Sequence, residues 1–483
     1  MQCTPRKYMS SISNARWILL SQTMRIVVQL VSLSVLSRLL SPAEYGLMAM
    51  CTVVINFAYL LRDMGTAAAV IQRENLTDDM ISTVFWFNVG TGFILCLFLA
   101  LLAPIISAAF KTPALTPVLS LLALIFPISS TAAVHQALQE RANNFRTIAR
   151  VEVVSSLAGL TVALILAYMG FGVYALALQL IAAFAAGTIQ LWFASSWRPS
   201  WRWSQAEFMS LLGYSGNATG FTIINYFARN ADSIIIGRVL GEVQLGIYAQ
   251  AYRVMMFPLQ SMTYVANRAL LPVMSRKQND PAQIGQLYLR SLGLIATVTA
   301  PLMAGLWLMR DSFVHVVLGK QWGDVGAILA WLAPVGLIQS LVSTNGTVFL
   351  ATGRTDRLMR LGLFNTVLQL TAFFIGTRWG IEGMAACYLA ANAINFLPAF
   401  YVTLKQVDAT LSDLFKAIWR PTAAAAGMVL LLLPVASSFR NYGASPMVTL
   451  VGVSTLGVLL FAGITFLISP SIFRDLKKVA KAT

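Results

Sequence analysis

The stretch TVFWFNVGTGFILCLFLALLAPIISAA, Thr83 to Ala109, contains no charged residue. A helix needs about 20 apolar residues to cross roughly 30 Å of hydrocarbon, so this run is long enough to span a bilayer. A helix apolar on every side suits lipid, because it satisfies its own backbone groups and needs no polar face. Similar runs recur from Trp17 almost to the C-terminus. Of 483 residues, 58% are hydrophobic and 11% charged, and the mean hydropathy is +0.72. Soluble domains carry roughly 25% charged residues, so the chain is read as an all-α integral membrane protein.

Breaks at Gly, Pro and charge clusters predict helices near 14–40, 45–62, 83–109, 115–139, 149–169, 172–194 and 208–236. A second set follows near 244–270, 287–309, 326–351, 358–377, 383–404, 416–437 and 446–469, about fourteen in all. The first is read as a retained helix rather than a signal peptide, since it is long and interrupted by Arg25. With both termini in the cytoplasm, cations such as Arg6, Lys7, Arg141, Arg146, Lys277, Arg354 and Lys477 gather on that side, roughly three to one over the other. The net charge of +16 is therefore a topology signal and calls for no nucleic acid partner. Every loop is short, so function has to lie within the membrane. Cys3, Cys51, Cys96 and Cys387 are scattered and His135 and His315 isolated, so no metal site, catalytic centre or cofactor is expected.

The chain repeats. Shifted by 200 residues, LSRLLSPAEYGLMAM (Leu36 to Met50) falls on IGRVLGEVQLGIYAQ (Ile236 to Gln250), aligning Arg38 with Arg238 and Gly46 with Gly246. Six helices separate equivalent points, and an even number gives the copies the same orientation. The expected architecture is two pseudo-symmetric six-helix lobes, 1–200 and 207–405, with a cleft between them, followed by two C-terminal helices and a basic tail over 406–483. The tryptophan-rich run Trp192 to Trp203 reads as an interfacial linker between the lobes.

Polar residues inside apolar helices mark the candidate site. Gln22, Arg25, Gln29 and Ser32 share one face of the first helix, and Thr222, Asn225, Arg229 and Asp232 repeat the spacing in the seventh. Arg25 and Arg229 lie near mid-helix, where a lipid-facing charge costs about 3 kcal/mol, so they are expected to face water or ligand. With Gln22, Gln29, Asn225 and Arg253 they form the expected substrate-binding set. An arginine-lined cavity suits an anion, since guanidinium offers a planar fork of donors to phosphate or carboxylate oxygens. Intramembrane acids are few. Asp232 is the candidate for coupling to a proton or sodium gradient, with a plain ion pair to Arg229 as the alternative, while Asp63 and Glu152 sit near helix ends.

The first helix followed by LSRLLSPAEYGLMAM, then DMGTAAAVIQRE (Asp63 to Glu74), ALQERANNFRTIARVE (Ala137 to Glu152) and ADSIIIGRVLGEVQLGIYAQAYRVMMFP (Ala231 to Pro258), resembles Wzx-type polysaccharide flippases. These belong to the multidrug/oligosaccharidyl-lipid/polysaccharide exporter superfamily, and the colanic-acid exporter branch is nearest. The resemblance implies twelve core helices plus two, and a positively charged cavity. It further implies flipping of undecaprenyl-pyrophosphate-linked oligosaccharide across the bacterial inner membrane for surface polysaccharide, by alternating access, alongside a polymerase and export machinery. A multidrug or other lipid-linked precursor exporter of the same superfamily is the alternative. A membrane polymerase or glycosyltransferase is disfavoured, because the longest outer segment, about Asp311 to Val325, is too small for such a site.

Overall fold

The computed structural model describes residues 5–62, 70, 71, 73, 76–205, 208, 209, 226–278 and 280–468, with the backbone alone for 5–16, 18–20 and 259–269. Among the described residues there is no strand. The helices are α1 (Pro5–Leu39), α2 (Pro42–Arg62), α3 (Asp78–Phe110), α4 (Leu115–Leu122), α5 (Ile125–Arg141), α6 (Phe145–Tyr168), α7 (Val173–Ala194) and α8 (Ala231–Val239). They continue as α9 (Glu242–Ser275), α10 (Pro281–Phe313), α11 (Gly323–Val342), α12 (Asn345–Ala351), α13 (Thr355–Gly376), α14 (Gly380–Lys405), α15 (Leu411–Asn441) and α16 (Pro446–Ile468). Among the described residues, ten helical runs are long and apolar enough to cross a membrane, one of them, Thr355–Lys405, holding both α13 and α14. The all-helical membrane fold is as expected. The seventh expected segment lies mostly outside the described residues, including Thr222 and Asn225.

Helix ends follow local chemistry. Thr77 caps α3 by accepting the Met80 N–H at 3.2 Å, with Asp78 and Asp79 complementing the positive end of the helix dipole. The chain leaves α3 through Lys111 in a left-handed conformation, φ 59°. Thr410 and Asp413 form a capping box at the start of α15. Two expected helices are interrupted. The break after Leu122 precedes Pro127, which has no N–H to give the Ala123 carbonyl one turn back. Between α11 and α12 no proline is present. There the Ser343 and Thr344 hydroxyls donate to the carbonyls of Ser340 (2.8 Å) and Leu341 (3.0 Å), competing with helical pairing.

The chain forms two compact units, Met1–Gly246 and Ile247–Thr483, the boundary falling just after the first turn of α9. In the first unit, α6 packs on α1 and α7, and α5 on α3 and α7. Its core joins Met80, Val84 and Phe85 of α3 to Val134 and Ala137 of α5, with Trp192 and Trp197 against them. The segment after α7 is strapped along the start of α3. Trp86 Nε1 donates to the Ser200 carbonyl at 2.9 Å, the Ser204 N–H to Thr83 Oγ1 at 3.0 Å, and Arg202 pairs with Asp79 at 3.0 Å. In the second unit, α10 packs on α11, α15 and α16, and α14 on α11 and α13.

The 200-residue shift has a physical counterpart inside the first unit. A Cβ added to Gly46 would lie 1.7 Å from the Glu242 carbonyl oxygen, and one on Gly246 would lie 1.9 Å from the Pro42 carbonyl oxygen. Each glycine thus meets the residue four positions before its partner in the repeat. Only hydrogen fits at either place.

Candidate functional site

The site is built on α1 and α6. Arg25 lies about 20 Å along the axis from the end of α1 at Leu39, at about 1.5 Å per residue. Met24, Val27, Val31 and Val35 are exposed along one stripe of that helix. The Gln22, Arg25, Gln29 and Ser32 stripe is turned well away from it, with Arg25 and Gln29 exposed and Gln22 and Ser32 half-buried. On α6, Val154, Leu157 and Ile165 form the exposed apolar stripe. Glu152 precedes Val154 by two residues, about 200° of rotation, and so lies on the opposite side. Such exposed apolar stripes are lipid-facing in a protein of this composition, which leaves the polar sectors for water.

Across these sectors Arg25 Nη1 lies 3.9 Å from Glu152 Oε1, with the two side chains 50% and 36% exposed. Nearer the start of both helices the Arg146 guanidinium sits over the Trp17 ring at 5.2 Å. Two cation contacts therefore register α1 against α6. Farther along, Gln179 of α7 donates to Ser32 at 3.5 Å, and Gln190 to Ser155 at 3.3 Å, continuing the polar line.

The other expected residues are placed as follows. Arg229 is exposed, in a segment held to α2 by Tyr226, whose hydroxyl donates to the Val53 carbonyl, and by Phe227 against Phe57 at 5.0 Å. Asp232 is buried in the first turn of α8, where its Oδ1 accepts the Ser233 N–H at 2.6 Å. Arg253 is exposed on α9 in the second unit. Asn225 lies outside the described residues.

Glu152 was expected only as an acid near a helix end. The signal that would have placed it is its rotation away from the apolar stripe of α6. The arginine of ALQER also has a role that its sequence did not reveal. Arg141 donates to the carbonyls of Val70 (2.9 Å), Ile71 (3.3 Å) and Arg73 (2.5 Å), clasping the AVIQR segment.

Apolar helices with exposed apolar stripes and separate polar sectors define a multi-span membrane protein. A solved structure shares this fold. Lipid II flippase MurJ in an inward closed conformation superposes with a TM-score of 0.72 at 13% identity, over 96% of this chain and 99% of that one, which shows a shared fold. Residues 35–327 match the family described as polysaccharide biosynthesis protein, and the chain belongs to that family. It is similar to the lipopolysaccharide biosynthesis protein WzxC of Escherichia coli (strain K12), 27% identical over 85% of this chain and 84% of that protein. It is also similar to the succinoglycan biosynthesis transport protein ExoT of Rhizobium meliloti (strain 1021), 25% identical over 97% and 95%. The resemblance to Wzx-type flippases is borne out. The chain is a membrane transporter of polysaccharide biosynthesis, not an enzyme.

Proposed function

We propose that the chain flips undecaprenyl-pyrophosphate-linked oligosaccharide repeat units across the bacterial inner membrane, by alternating access, for surface polysaccharide assembly. Arg25 and Arg229 receive the pyrophosphate and sugar-acid groups, with Gln22, Gln29, Asn225 and Arg253 as further contacts. Asp232 couples the cycle to a proton or sodium gradient, and the released units pass to a polymerase and export machinery. Both termini face the cytoplasm.

The observation that carries this reading is Arg25, exposed deep within α1 on the side away from lipid, with its carboxylate neighbour beyond hydrogen-bond reach. Such a guanidinium keeps donors available for a phosphate oxygen. The relatives' names, lipopolysaccharide biosynthesis protein and succinoglycan biosynthesis transport protein, support a polysaccharide precursor as cargo.

The test is complementation of surface polysaccharide in a flippase-null strain. Each charge-assisted contact contributes about 1.5 to 3 kcal/mol, so Arg25→Ala and Arg229→Ala should each slow transport about tenfold or more. Because both act on one ligand, the double variant should deviate from additivity. Normal polysaccharide from a well-expressed double variant would sink the anion-site assignment.

A further inference from the structure

We propose that Glu152 is a built-in counter-ion that holds Arg25 between transport cycles and is displaced by the phosphate of the cargo, so that binding is an exchange of carboxylate for phosphate. This rests on the reading of Arg25 as a head-group contact.

Three observations carry it. First, the 3.9 Å separation exceeds hydrogen-bond reach, yet it is close enough to neutralise charge within a membrane-spanning region. A phosphate oxygen on guanidinium approaches to about 2.8 Å, so an incoming diphosphate makes the better contact. Second, both side chains are accessible, 50% and 36% exposed, so cargo reaches the pair without unpacking the helices. An ion pair this open contributes little to stability and is readily exchanged. Third, the pair is held in place by its helices rather than by its own bond. The packing of α1 on α6, with Arg146 over Trp17, keeps the Glu152 carboxylate beside Arg25 whether or not the two are engaged.

The consequence is a release device. With Arg25 alone, an anionic head group would be held tightly at every stage of the cycle. A tethered carboxylate competes with the cargo at high local concentration, weakens its hold, and occupies the guanidinium as the cargo leaves. The same carboxylate also discriminates by charge. A monoanion gains less from Arg25 and is still repelled by Glu152, whereas a diphosphate has charge enough to displace it.

The experiment uses the full chain, purified in lipid nanodiscs, with inorganic pyrophosphate as the calorimetric probe, beside the polysaccharide complementation assay. Glu152→Gln keeps size and hydrogen-bonding capacity while removing the charge. It should bind pyrophosphate about fivefold tighter or more, and slow transport severalfold because release is impaired. Glu152→Asp, which keeps the charge on a shorter arm, should tighten pyrophosphate binding less than Glu152→Gln does. In an Arg25→Ala background, Glu152→Gln should no longer tighten binding. A carboxylate that merely braced Arg25 would instead leave Glu152→Gln weaker in binding. Unchanged or weakened pyrophosphate affinity in a well-folded Glu152→Gln protein overturns the proposal. Should Arg25→Ala leave pyrophosphate binding intact, the head-group reading of Arg25 fails as well, so the two failures are told apart.

Discussion

The first unit presents charged side chains to water on α1 and α6, loosely paired. In the second unit a set of neutral, mostly buried polar residues on α10, α11, α12 and α14 is joined by hydrogen bonds. Tyr288 donates its hydroxyl proton to Asn345 Oδ1, Gln339 donates to the Tyr388 hydroxyl at 2.6 Å, and the Thr299 and Ser340 hydroxyls lie 3.0 Å apart. Such buried hydrogen bonds fix one helix arrangement, and disrupting them is costly because the orphaned partner stays desolvated. A half-exposed ion pair fixes little but remains free to exchange. The difference separates residues that hold the fold from those proposed to act on cargo, although both classes look alike as polar residues in apolar helices.

The contrast can be broken at its sealed end first. Tyr288→Phe leaves Asn345 Oδ1 without its donor and should cost about 1 to 3 kcal/mol, read as a lower melting temperature, with transport per folded molecule unchanged. Lost transport at unchanged stability would move this network into the transport machinery. Asp232 tests the boundary between the classes, being buried like the network but ionisable like the site. If it couples an ion gradient, Asp232→Asn should slow flipping about tenfold, equivalent to about 1.4 kcal/mol, while protein level on an immunoblot is maintained. Disappearance of the variant from the membrane would assign Asp232 to the fold. The smallest effect belongs to Arg25→Lys, which keeps the charge and loses the fork. Transport should fall a few-fold, and a silent variant would mean that only the field at the site matters, not its geometry.

Much of the fold was legible because a missing charge over more than a membrane's thickness has one reading. Thr83–Ala109 lies inside α3 for that reason. The start of α1 at Pro5 was not legible, since MSSIS is polar and gives no apolar run to detect. The interruption at Ser343 and Thr344 was hidden because hydroxyls bonding to their own helix carry no sequence punctuation such as proline. Polar stripes were readable from helical spacing, so Arg25 and its neighbours were found. Their partner was not, because the approach of Glu152 depends on how α6 packs across α1, a contact between residues far apart in the chain. The repeat was visible as an alignment of Gly46 with Gly246, while the reason for glycine there needed coordinates.

That glycine crossing ties the two aligned segments to each other. Here the carbonyl of Glu242 occupies the space a side chain at position 46 would need, and the carbonyl of Pro42 does the same at position 246. Neither segment can acquire bulk at its glycine without pushing the backbone of the other, so the two positions are constrained as a pair and not singly.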